Sequence, residues 1–109
     1  MKNVLVTGGA GFVGSNLIKR LKVDYPEANI VSLDNYFTGK QENHVAGVEY
    51  YHGHTMNADT IFSDRTFDTV FHFGEYSRIV QSFDDIKIVT DAILVGTPRI
   101  LELCKEWGA

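Results

Sequence analysis

The sequence predicts an α/β fold, a Rossmann-like parallel sheet of about four strands in the order 3-2-1-4 with helices on both faces. Three observations carry this prediction. Short β-branched apolar runs alternate with segments of helical periodicity, the pattern of βαβ units joined by right-handed crossovers. The first run ends in a glycine-rich turn, Thr7-Gly8-Gly9-Ala10-Gly11-Phe12-Val13-Gly14, which leads straight into a helical pattern. An aspartate, Asp34, closes the second run 20 residues after Gly14.

The elements follow in order. Residues 3–6 form an apolar run suited to a strand buried on both faces. Phe12, Val13, Leu17, Ile18 and Leu21 then recur at helical spacing, with Lys19, Arg20 and Lys22 outside, and Asp24 to Pro26 ends that helix. Residues 29–33 read as a second strand ending at Asp34, and residues 35–47, with Gly39 and Gly47, as loop. Val48 to His52 is a third strand, followed by a short helix around 57–63, and residues 67–73 are the fourth strand. A loop covers 74–82. Asp84 or Asp85 opens the last helix, which runs to Trp107, where Gly108 supplies a stop signal.

Composition bounds the function. With 109 residues, a net charge of −4, 44% hydrophobic and 22% charged residues, the chain reads as one domain, residues 1–109, too apolar to be disordered. Its mild acidity argues against a nucleic-acid partner. No apolar run approaches the roughly 18 residues of a membrane span. Cys104 has no partner for a disulfide, and no signal-peptide layout precedes the first strand, so a cytoplasmic setting is expected.

The glycine-rich turn is where chemistry concentrates. A tight exit from a strand wants a glycine with positive φ. Close approach of a pyrophosphate to backbone N–H groups forbids a Cβ at the middle glycine, and close helix–sheet packing favours a small residue at Gly14. The helix N-terminus then offers free N–H donors to phosphates. Asp34 sits where a carboxylate accepts from the ribose 2′ and 3′ hydroxyls, and it would repel a 2′-phosphate, which favours NAD over NADP.

Thr7-Gly8-x-x-Gly11-x-x-Gly14, Leu33-Asp34-Asn35 with Thr38-Gly39, Val70-Phe71-His72-Phe73, Ser82, and Gly96-Thr97 with Leu101-Glu102 together resemble the motifs of the extended short-chain dehydrogenases. Within that superfamily the chain is similar to the NAD-dependent nucleotide-sugar epimerases and dehydratases, along its whole length. The resemblance implies that Gly8, Gly11, Phe12, Val13 and Gly14 line the pyrophosphate turn. It implies that Asp34, Asn35, Gly39 and Lys40 surround the adenosine, with His54 and Thr55 toward the adenine. The segment Phe73, Gly74 to Tyr76 would border the nicotinamide ribose.

Four departures stand out. Gly53-His54-Thr55 replaces the family's Gly-Asp-Ile, so an imidazole or hydroxyl takes the place of a carboxylate at the adenine. The fourth strand ends His72-Phe73-Gly74-Glu75 instead of His-Leu-Ala-Ala. Ile93 stands where the family has an asparagine that ties the last helix to the active-site side. The family's catalytic Ser or Thr and its helical Tyr-x-x-x-Lys follow a fifth strand, which would begin where this chain ends. No catalytic residue is therefore expected within it, and a nucleotide-sugar substrate is expected only of a longer parent enzyme. Tyr36 and Lys40 match the Tyr-x-x-x-Lys spacing, but that pair works only on a helix, and Asn35 and Gly39 make this stretch a loop.

Other residues are weighed against simpler roles. His52 and His54 lie two apart on a strand end, without a Cys or carboxylate cluster to complete a metal site. His72, in an apolar strand, is expected to be a hydrogen-bonded core histidine. No Gly-x-Ser-x-Gly elbow supports a hydrolase. On the last helix, Ile86, Val89, Ile93, Gly96/Thr97, Ile100, Cys104 and Trp107 follow one face. Ile88, Ala92, Leu94, Val95, Leu101 and Leu103 add apolar surface elsewhere. That excess, and a fourth strand left at a sheet edge, predict a homodimer through the last helix or that edge. Pro98 predicts a kink near Leu94.

Overall fold

The computed structural model of the chain describes residues 1–37, 39–74 and 95–109. Four parallel strands, β1 (Asn3–Thr7), β2 (Asn29–Asp34), β3 (Glu49–His52) and β4 (Thr69–His72), lie in the order β3-β2-β1-β4. This is the predicted Rossmann-like order. β1 is central: Val4 faces Ile30 of β2 and Thr69 of β4, and Val4, Leu5 and Val6 are fully buried.

Alternation along the strands divides the core into two layers. Val4, Val6 and Ile30 pack with Ile18 and Leu21 of α1 (Phe12–Asp24). Leu5, Val31 and Leu33 pack on the other face with Ala58 of α2 (Ala58–Ile61), with Phe62 and Phe67, and with Ile100 and Leu103 of α3 (Thr97–Trp107). Full burial of one such side chain contributes about 1.5–3 kcal/mol.

Several elements differ from the sequence prediction in detail. Phe12 and Val13 carry the helical spacing but are 82% and 58% exposed, because α1 begins at the sheet edge and meets the sheet only from Gly14 onward. The short helix is two tight pieces, a 3₁₀ turn over Thr55–Asn57 and then α2. β4 starts at Thr69 instead of residue 67. Phe67 is buried ahead of it between the rings of Phe62 and Trp107, each centroid 5.2 Å away. Leu103, predicted to face away from the sheet, belongs to its core, whereas Leu101 is 64% exposed. Gly108 ends α3 with φ +73°, and Ala109 N–H donates to the Cys104 carbonyl, so the stop signal acts as predicted. The predicted stretch of the last helix before residue 95, with Ile86, Ile93 and the kink at Leu94, lies outside the described residues.

Candidate functional site

The C-terminal ends of the parallel strands form one edge, the edge where open α/β sheets bind ligands. The glycine-rich turn closes over it from β1 to α1. Gly8 has φ +74°, and a Cβ there would stand 2.7 Å from the Phe73 carbonyl oxygen, so β4's exit lies directly on the turn. A Cβ on Gly14 would overlap the Gly8 carbonyl. Gly14 is therefore required by the turn itself, while packing against the neighbouring strand falls to Gly9, whose Cβ would overlap Ser32 of β2. Sequence reasoning passed over Gly9, because the motif leaves that position unspecified. Beside Gly11 a Cβ would meet only the Gly8 carbonyl oxygen, at 3.3 Å, which leaves room for a group approaching the backbone.

Gly11 also caps α1, and no side chain caps that helix end or places a negative charge in its first turn. The N-terminal amides of a 13-residue helix, with their positive dipole end, thus meet no capping side chain among the described residues. Phe12 and Val13 stand exposed beside them.

Asp34 is 7% exposed at the end of β2. One carboxylate oxygen accepts the Ala10 N–H at 3.0 Å and the other accepts the Tyr36 N–H at 2.8 Å. The carboxylate is thereby fixed against the glycine turn while retaining acceptor capacity. Gly39 lies against it, since a Cβ there would come within 2.7 Å of Oδ2. The loop after β2 is tied to the same turn: the Lys40 N–H donates to the Ala10 carbonyl at 3.0 Å, and Asn43 Nδ2 donates to it at 2.8 Å. Asn35 uses its side chain locally, accepting the Phe37 N–H. The Lys40 ammonium lies 3.8 Å from Glu42 on the surface.

Tyr36 and Lys40 lie on no helix. Tyr36 adopts φ +60°, a left-handed conformation uncommon for a bulky residue. Burial, with the Asp34 charge second, pushes its phenol above the ordinary tyrosine value, the opposite of what a tyrosinate base requires. Its hydroxyl lies 2.5 Å from His44 Nε2. The His44 ring stacks on Tyr50 at 3.7 Å, and the His52 ring meets Tyr36 edge-on at 5.0 Å. With Gln41 these rings line a pocket of about 330 Å³ at the β3 side. Sequence reasoning missed this cluster, since its members are scattered through a loop and alternate positions of a strand.

His52 and His54 turn to separate tasks. His52 Nε2 lies 3.1 Å from the Asn35 carbonyl, and His54 Nδ1 accepts the Met56 N–H at 3.1 Å, capping the turn that follows β3. Thr55, next to it, is 5% exposed, and its hydroxyl has no hydrogen-bond partner among the described residues. A buried hydroxyl in that condition carries an unmet desolvation cost. On the β1–β4 side, the Phe73 N–H donates to the Thr7 carbonyl at 3.0 Å and the Gly74 N–H to Thr7 Oγ1 at 3.0 Å. His72 is hydrogen-bonded, as predicted, but half-buried instead of in the core, because β4 lies at the end of the strand order. Tyr76, with Glu75, Ser77, Arg78 and Ser82, lies outside the described residues. The structure thus gathers Gly8, Gly11, Gly14, Asp34, Gly39, Phe73 and Gly74 around one turn, with His54 and Thr55 in the turn that leaves β3, whose last residue, His52, pairs with Asp34.

Comparison with known proteins gives this edge a context. The model of the NAD dependent epimerase/dehydratase family matches residues 4–109. The UDP-glucuronic acid decarboxylase 1 of Danio rerio is 36% identical over 115 aligned positions, covering 99% of this chain and 26% of its own length. The UDP-glucose 4-epimerase of Thermotoga maritima, solved with UDP-glucose, superposes with a TM-score of 0.88 at 27% identity, over 98% of this chain and 35% of that one. The UDP-glucose 4-epimerase of Thermus thermophilus, solved in complex with NAD, gives 0.76 at 30% identity, over 97% of this chain and 34% of that one. The chain spans from 17% to 32% of the length of the curated relatives it matches. With a match that runs through nearly all of its residues, the chain belongs to the NAD-dependent epimerase/dehydratase family, whose cofactor is NAD.

Proposed function

We propose that residues 1–109 are a single NAD-binding unit, the part of a nucleotide-sugar epimerase or dehydratase that holds the cofactor while a sugar hydroxyl is oxidised and re-reduced. The observation that carries this reading is the pairing of an uncapped helix N-terminus with a fixed, buried carboxylate on the adjacent strand end. The residues suit a dinucleotide. Gly8, Gly11 and Gly14 leave the turn's backbone bare, and the amides around Phe12 and Val13 would receive the pyrophosphate. Asp34 would accept from the adenosine ribose, with Asn35, Gly39 and Lys40 around it. The unpartnered Thr55 hydroxyl and His54 would face the adenine. Phe73, Gly74 and Tyr76 would border the nicotinamide ribose.

When bound, NAD supplies the hydride acceptor that makes the sugar carbon's oxidation reversible. This chain's own part is to bind and orient it, and no residue of the chain is assigned an acid–base step. Calorimetric titration with NAD and with NADP tests the reading. NAD should bind more tightly, because a 2′-phosphate would face the Asp34 carboxylate. Tighter NADP binding, or NAD binding indifferent to Asp34→Ala, would overturn it.

A second reading, self-association, is favoured by β4, which pairs only with β1 among the described residues, and by the exposure of Leu101 on α3. Sedimentation over a range of concentrations decides it, and a strict monomer removes it.

A further inference from the structure

Thr7, His72 and Thr97 form a chain of side-chain hydrogen bonds running from the glycine turn to the start of α3. Thr7 Oγ1 lies 2.5 Å from His72 Nδ1, and His72 Nε2 lies 2.9 Å from Thr97 Oγ1. Thr7 is fully buried, and its Oγ1 already accepts the Gly74 N–H at 3.0 Å. A buried hydroxyl must place its own hydrogen on an acceptor, and the imidazole Nδ1 is in place to take it. That fixes the direction of every link: Gly74 N–H to Thr7, Thr7 O–H to His72 Nδ1, and His72 Nε2–H to Thr97. A proton on Nδ1 would occupy both lone pairs of Thr7 Oγ1 with donors and leave its buried hydroxyl hydrogen without an acceptor among the described residues.

We propose that His72, held in its Nε2–H tautomer, is a positioning residue that locks the Phe73–Gly74 wall of the groove to the glycine turn and couples both to the N-terminus of α3. The wall is close enough to need such control, because the Phe73 carbonyl oxygen would stand 2.7 Å from a Cβ on Gly8, a space only glycine leaves open. For cofactor binding the inference rests on the NAD reading above. The hydrogen-bond chain itself does not.

The test uses the 109-residue chain labelled with ¹⁵N. Ring nitrogen shifts of His72 should report the Nε2–H tautomer, and an Nδ1–H tautomer would overturn the proposal. The Gly74 amide should exchange slowly with solvent, markedly faster in His72→Leu, and moderately faster in Thr97→Val, which cuts the far link. Unchanged Gly74 exchange in a folded His72→Leu chain overturns the lock, and unchanged exchange in Thr97→Val overturns the coupling to α3. NAD affinity should fall about tenfold in His72→Leu, the loss of one buried hydrogen bond. It should recover largely in His72→Asn, whose amide oxygen can replace Nδ1. Failure of Asn to rescue where Leu weakens binding counts against the positioning role. A wild-type chain that does not bind NAD defeats the cofactor reading alone, because tautomer and exchange still decide the link.

Discussion

Asp34 and Asp68 make an instructive pair. Each carboxylate accepts two backbone N–H groups, and each joins β1 or its continuation to a neighbouring strand. Asp34 takes Ala10 and Tyr36 at the C-terminal edge of the sheet, and Asp68 takes Lys2 at 2.9 Å and Asn3 at 2.8 Å at the opposite edge. Their surroundings differ. Asp68 is exposed, also accepts the neighbouring Thr69 hydroxyl, and returns its own N–H to the Asn3 carbonyl, so it staples two strand starts together. Asp34 is buried beside a bare glycine turn, with a strained tyrosine on one side and Gly39 on the other. Hydrogen-bond counts alone do not separate these two carboxylates. The edge of the sheet and the company of the glycine turn do, and they are what the proposed binding role of Asp34 rests on.

The largest effect should come from damaging the turn that defines this edge. Gly8→Ala forces a Cβ into the Phe73 carbonyl at φ +74° and should cost about 2–4 kcal/mol of stability, from left-handed strain and overlap together. NAD binding should be lost with it. Gly47→Ala is the control: φ is +82° there, but among the described residues the nearby atoms belong to the flexible end of Lys22, so about 1–2 kcal/mol is expected, with NAD affinity intact. Thermal melts and calorimetric titration of both variants check this. Equal loss of binding in both would show that general destabilisation, and not the turn, governs affinity.

Next in size is the direct contrast between the two aspartates. Asp34→Asn should weaken NAD about 10- to 100-fold, the range for hydrogen bonds to a charged group. It should also lower stability, because an amide cannot accept from both Ala10 and Tyr36 without setting a donor against a donor. Asp68→Asn should leave NAD affinity unchanged. The stabilisation conferred by saturating NAD, read as a shift in Tm for each variant, separates binding from folding. Equal shifts in both variants would erase the distinction drawn between the two edges.

Much of this was legible in the sequence. The strand order, the bend at Thr7–Gly14 and the placing of Asp34 follow from period, glycine spacing and one carboxylate, because each is a local consequence of backbone geometry. The tighter details were not, for a physical reason. That Gly9 packs on Ser32, that Gly14 answers to Gly8, and that Phe67 is buried before its strand depend on contacts between segments far apart in the chain. The Tyr36–His44–Tyr50–His52 cluster had no signal either. Its rings converge only once the loop after β2 folds back onto the glycine turn through Lys40 and Asn43. Phe12 and Val13 show the converse, since helical spacing marks them as core while their position at the helix start leaves them at the site's rim.

The smallest effect expected concerns Asp68 and acid. The Asn3 N–H above all, then the Thr69 hydroxyl and the Lys2 N–H, hold its carboxyl below the ordinary aspartate value, against a smaller opposing effect of burial. A group whose folded pKa is depressed stabilises the fold above its unfolded value, about 3.9, and loses that contribution as pH falls through the folded value. Because Asp68 is solvent-exposed, screening keeps the contribution to no more than about 1 kcal/mol. Urea unfolding of the wild-type and Asp68→Asn chains from pH 7 down to pH 2 isolates it from other carboxylates such as Glu49, which Arg65 holds low in the same way. The gap between the two chains should be constant near neutrality and narrow below about pH 4, as protonation deprives the wild-type side chain of its advantage. A gap that persists unchanged at pH 2 would mean that Asp68 acts through shape alone. The two edges of the sheet would then differ in burial but not in the use they make of charge.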